Sequence, residues 1–100
     1  MVKAKEIIAS VEKHKEEIRA FGVKSLTLFG SYARDQATVK SDVDFLVEFN
    51  QGRGGYDDYV GLLELLQKAM GKKVDLVKRH LVREELRPFI LGGVKVEASI

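Results

Sequence analysis

Residues 30–48 read GSYARDQATVKSDVDFLVE, and the organisation of the chain turns on them. Gly30-Ser31 closes the apolar run Val23 to Phe29, and ten residues later Asp42-Val43-Asp44 opens a second, Val43 to Phe49. Both runs are rich in β-branched and aromatic residues, which predicts strands. In a strand, residues i and i+2 share a face, so Asp42 and Asp44 project together with Cα atoms ~6.5 Å apart. Val43, Phe45, Val47 and Phe49 point the other way, into a core. Two carboxylates on one face, backed by an apolar face, suit a hard cation such as Mg²⁺, which takes oxygen ligands from carboxylates and substrate phosphates.

Gly30-Ser31 supplies the complementary half. Glycine allows close backbone approach and an unusual φ. Ser31 is a good N-cap for a short helix, Tyr32 to Gln36. A strand–Gly-Ser–helix turn presents backbone N–H groups where phosphate binds well. Arg34, one turn in, is placed either to reach a phosphate or to sit as a solvated helix charge. Tyr32 reads as a packing residue. Phosphates at the end of the first strand and a metal at the start of the second would together hold a nucleoside triphosphate.

Outward from this centre, Val2 to Phe21 reads as one helix, with Ile7, Val11, Ile18 and Phe21 near helical spacing and Gly22 as its stop. Thr38 to Ser41 is a loop that delivers the second strand. Glu48 shares the carboxylate face but lies farther along, a structural acid. Asn50 to Gly55 reads NQGRGG, a mobile surface loop and not a P-loop, because no Gly-Lys-Ser/Thr follows. The surface loop is the reading of choice for Arg53 too, with contact to a substrate or partner on loop closure as the lesser alternative. Asp57 or Asp58 caps a helix over about Tyr59 to Met70, ended by Gly71, and Lys72-Lys73 form a solvated turn. Val74 to Val77 is a short strand holding Asp75. If it lies beside Val43 to Phe49, Asp75 joins Asp42 and Asp44 as a third carboxylate, either a general base or a metal ligand. Leu81 to Leu86 predicts a short helix ending before Pro88, with a turn at Pro88 to Leu91 and a break at Gly92-Gly93. Alternation of Val94, Val96 and Ala98 with polar residues predicts a last strand or extended tail. His14 and His80 read as surface residues, with no second His or Cys at metal-ligand spacing.

Composition narrows the class. One hundred residues predict a single domain over 1–100. The absence of cysteine excludes disulfides and thiolate metal sites and fits a cytoplasmic protein. No apolar stretch is long enough to span a membrane, and the start of the chain has no signal-peptide pattern. A net charge of +2 gives no reason to expect direct nucleic-acid binding. The element order predicts an α/β (α+β) fold, a small mixed sheet with helices mainly on one face.

Gly30-Ser31, ten residues, then Asp42-Val43-Asp44 resembles the GSX10DXD signature of minimal nucleotidyltransferase (MNT) domains in the DNA polymerase β-like superfamily. Four residue types at that spacing arise by chance in such a chain on the order of once in a thousand. The resemblance extends to Val74-Asp75-Leu76-Val77 and so covers most of the chain. Asp35 departs from it, standing where relatives often carry Gly. The resemblance implies a nucleotidyltransferase palm-like fold, with Asp42, Asp44 and Asp75 as catalytic and metal-binding residues and Gly30, Ser31 and Arg34 on the nucleotide. It implies Mg²⁺-dependent transfer of AMP from ATP to a hydroxyl. Stand-alone MNT proteins of this size resemble antitoxins paired with HEPN ribonuclease toxins, which implies a toxin tyrosine as acceptor. Two alternatives stand beside this: a non-catalytic antitoxin that masks the toxin by binding, and a small-molecule nucleotidyltransferase.

Overall fold

Alternation of apolar and polar residues builds a sheet, and helical stripes of apolar residues cover one of its faces. The computed structural model describes residues 3–33, 38, 41–79 and 96–97. The chain runs through α1 (Ala4–Lys13), α2 (Lys15–Ala20), β1 (Val23–Phe29), α3 (Gly30–Ala33), β2 (Val43–Phe49), α4 (Tyr56–Met70), β3 (Val74–Lys78) and β4 (Val96–Glu97). The sheet order is β3-β2-β1-β4. β1 pairs antiparallel with β2 and with β4, while β2 pairs parallel with β3. This is the expected small mixed sheet, and Val96–Glu97 supplies the last strand.

Residues of one sheet face, Leu26, Leu28, Val43, Phe45, Val47, Val74 and Leu76, enter a single apolar cluster with the helices. From α1 come Ala4, Ile7, Ile8 and Val11, spaced as one helical stripe. α2 adds Ile18, α3 adds Tyr32 and Ala33, and α4 adds Leu62 and Leu66. Burying each large side chain stabilises the fold by about 1.5–3 kcal/mol. Gly61 lets α4 pack closely, because a Cβ there would overlap the Phe21 ring. The opposite sheet face carries Asp44 and Asp75, so the apolar layer and the carboxylates sit back to back.

Both long strands span the predicted residues. The N-terminal helix differs, breaking at His14, where φ is −104° and ψ is 17°. In an unbroken helix the Ser10 carbonyl would accept the His14 backbone N–H. Here that carbonyl accepts from the His14 ring Nδ1 at 2.9 Å, and the backbone N–H donates to Val11 instead, at 3.0 Å. Gly22 ends α2 with φ of 79°. α3 also differs: it begins at Gly30, so Ser31 lies inside its first turn and is not its N-cap. α4 begins at Tyr56 after Gly55, with no side-chain cap. The expected helix at Leu81 to Leu86, the turn at Pro88 to Leu91, the Gly92-Gly93 break and His80 lie outside the described residues, as do Arg34 and Asp35.

Candidate active site

Sheet register, more than any single element, assembles the site. Antiparallel pairing sets Phe29, the last residue of β1, opposite Asp44 of β2. Gly30 follows Phe29 and turns with φ of 75°, which brings its Cα against the Asp44 carboxylate. A Cβ at residue 30 would overlap Asp44 Oδ2 and lie 3.1 Å from its Cγ. Only glycine fits there, on both backbone and packing grounds. On the other side of β2, parallel pairing aligns Asp44 with Asp75. Neighbouring strands lie about 4.8 Å apart and directly paired residues share a face, so Asp44 and Asp75 stand side by side in register with Phe29, and Gly30 packs against Asp44 just past the end of β1.

Asp42 stands just before β2 and is half-buried. Its Oδ2 lies 3.8 Å from Lys73 Nζ. The Lys72-Lys73 turn is therefore not simply solvated: Lys73 meets Asp42, and Lys72 Nζ sits 6.0 Å from the ring centre of buried Tyr32. Ser31 is half-buried beside Gly30. Ser41 is used locally, accepting from the Thr38 backbone N–H at 2.9 Å while its own N–H donates to the Thr38 carbonyl at 3.0 Å. That turn delivers Asp42 to the start of β2.

As an all-oxygen donor set, the three carboxylates match the chemistry of Mg²⁺. Among the described residues, no three His, Cys, Asp or Glu side chains converge tightly enough to hold an ion as they stand. Asp44 and Asp75 are side by side, whereas Asp42 leans to Lys73.

Arg53 is engaged within the chain. It forms a fork with Asp58, Nε to Oδ2 and a terminal nitrogen to Oδ1, both at 2.9 Å, and also donates to the Ala20 carbonyl. The Gly54 N–H donates to the same carboxylate at 2.9 Å. These bonds, Arg53 first, hold the Asp58 carboxyl down at about 2, and the carboxylate raises the Arg53 pKa in turn. The loop expected to be mobile is therefore tied to α2 and α4, and Asp58 is its tie, not a helix cap. Glu48 is structural as expected, flanked by Lys24 and Arg79 at 3.9 and 3.7 Å and taking a bond from Ser25.

A groove of about 510 Å³ opens toward the C-terminal end of β3, lined by Tyr56, Tyr59, Leu76, Val77 and Lys78. Among the described residues its lining holds no carboxylate, and Asp44 and Asp75 are not part of it. Sequence reasoning missed Lys73. The available signal was its position two residues before Asp75, at the same end of the strands as Asp42. No helix among the described residues is long and apolar enough to cross a membrane.

Comparison with known proteins gives the family. The family model for the nucleotidyltransferase domain matches residues 11–99. The chain is 35% identical over 95 residues to the protein adenylyltransferase MntA of Thermococcus cleftensis, covering 94% of this chain and 95% of that one. It is 41% identical over 92 residues to a Methanocaldococcus jannaschii protein named as a candidate protein adenylyltransferase, covering 90% and 89%. A solved structure of a candidate minimal nucleotidyltransferase superposes with a TM-score of 0.79 at 27% identity, covering 99% of this chain and 97% of that one. A complex of tri-AMPylated Shewanella oneidensis HEPN toxin with MNT antitoxin contains a chain of the same fold, with a TM-score of 0.60 at 19% identity over 90% and 70% of the two chains. The glycine-cradled carboxylate row thus sits in a chain that belongs to the nucleotidyltransferase family, as an enzyme of the minimal, MNT type.

Proposed function

We propose that this chain transfers AMP from ATP to a protein hydroxyl in a Mg²⁺-dependent reaction, the acceptor being a tyrosine of a cognate HEPN ribonuclease toxin, and so acts as an antitoxin. The observation that carries the reading is the Gly30–Asp44 contact, aligned with Asp75. Asp42, Asp44 and Asp75 are the oxygen donors that would hold Mg²⁺, which when bound neutralises phosphate charge and lowers the pKa of an acceptor hydroxyl. Gly30, Ser31 and Arg34 are assigned to the nucleotide's phosphates. In the transfer, the acceptor oxygen bonds to the α-phosphorus as the α–β phosphoanhydride bond breaks, and pyrophosphate leaves. The hydroxyl proton passes to a base, for which Asp75 is the candidate, since its carboxylate is exposed at the site's edge. The protein adenylyltransferase names of the relatives support transfer to a protein.

The test is intact mass of a candidate HEPN-type partner protein, taken from a neighbouring reading frame if one encodes it, after incubation with the chain, ATP and Mg²⁺. The expected result is a gain of one or more AMP units, with Asp44→Asn slowing transfer at least about a hundredfold, as for loss of a group stabilising transition-state charge. Unchanged mass with tight binding and silencing of the partner would replace the enzyme with a masking antitoxin. Unaltered transfer by Asp44→Asn would remove the site assignment.

A further inference from the structure

We propose that Lys73 is a phosphate-binding residue of this site, a cation paired with Asp42 and transferred to the triphosphate when nucleotide and metal bind; the inference rests on the nucleotide-transfer reading above. Its backbone is pinned from both sides. Gly71 ends α4 in the left-handed region with φ of 65°, its N–H donating to the Gln67 carbonyl at 2.9 Å. Gln67 Oε1 then accepts from the Val74 N–H at 3.2 Å, and the Val43 N–H donates to the Lys73 carbonyl at 3.0 Å. The turn is thus stitched to the start of β2, and the Lys73 side chain leaves it at the carboxylate end of the sheet.

The pair it makes there is exchangeable. Lys73 Nζ is 3.8 Å from Asp42 Oδ2, and the two side chains are 71% and 38% exposed. An ion pair that open to water contributes little and exchanges readily. A divalent cation held by Asp42 would compete with the ammonium, which would then be free to meet the charge of a bound polyphosphate. Lysine suits this task, being a compact point charge on a flexible stem with donors that rotate to meet whichever phosphate oxygen is offered. Lys72, its neighbour, is already occupied on the face of Tyr32.

Isothermal titration of the full chain tests this with two probes, Mn²⁺ alone and the Mg²⁺ complex of α,β-methylene-ATP, whose α–β bridge cannot be cleaved. Lys73→Met should weaken nucleotide binding by roughly three- to tenfold, the scale of one charge-assisted contact. The same variant should tighten Mn²⁺ about two- to threefold, because a competing cation is gone. Lys73→Arg should stay near wild type for nucleotide. Lys24→Met, which removes an equal charge beside Glu48, should leave both affinities unchanged. Nucleotide affinity of Lys73→Met within twofold of wild type, a shift of both probes in one direction, or equal effects of Lys24→Met would overturn the proposal. If wild type binds no Mg²⁺–nucleotide, the function proposed above falls and this inference with it. Binding by wild type with no response to Lys73→Met removes only the inference.

Discussion

At residue 30 two constraints coincide. The backbone is left-handed, with φ of 75°, and the space a side chain would fill is taken by the Asp44 carboxylate. A non-glycine residue in that conformation costs about 1–2 kcal/mol from backbone sterics alone. Gly30→Ala is therefore expected to lower stability by roughly that amount and to displace Asp44. Transfer activity should fall at least about tenfold, since sub-ångström placement of such groups matters. Thermal unfolding and transfer rate, measured together, check this. A variant that loses stability but keeps full activity would show that Asp44 tolerates the shift.

At the scale of elements, the link between β2 and α4 is tied by the Asp58 carboxylate, together with bonds from Lys78 to the Gly54 carbonyl and from the Asn50 N–H to the Gly22 carbonyl. Asp58 takes the Arg53 fork and the Gly54 N–H, and its pKa falls from an ordinary 3.8 to about 2. Because the folded pKa is depressed, the clamp contributes fully above the unfolded value and is lost as pH falls through about 2. NMR shifts of the Arg53 Nε–H and Gly54 N–H should accordingly titrate with a midpoint near 2, well below an ordinary aspartate. Asp58→Asn should abolish that transition and speed hydrogen exchange at Gly54, while β1 to β3 keep their protection. A midpoint near 4 would mean that the fork does not form in solution.

At the scale of the whole molecule, the main apolar cluster among the described residues lies between the helices and one face of the sheet. Leu62 is fully buried in it, on α4, away from the carboxylate row. Leu62→Ala should cost about 2–5 kcal/mol, a large share of the roughly 5–15 kcal/mol typical of a domain. Urea unfolding should show this as a lower midpoint. Transfer per folded molecule should stay near wild type, because the face that carries Asp44 and Asp75, proposed above as the site, is on the other side of the sheet. A loss of activity matching the loss of stability at temperatures where the variant is fully folded would contradict that separation of layers.

What the sequence determined by itself is what local physics encodes. Alternating β-branched and aromatic residues delimited Val23–Phe29 and Val43–Phe49, and the i and i+2 rule put Asp44 on the face opposite Val43 and Phe45. Gly22 and Gly71 marked helix ends because few other residues adopt a positive φ. The break at His14 was not legible, since it depends on which donor, ring or backbone, takes the Ser10 carbonyl. Nor was the Arg53–Asp58 clamp, which needs Ala20, Gly54 and α4 brought together. Most of all, the alignment of Asp44 with Asp75, the Gly30 contact and the Lys73–Asp42 pair belong to the tertiary structure. Strand register is chosen by burial of an entire sheet face, and a slip of one residue in β2 or β3 would turn Asp44 or Asp75 away.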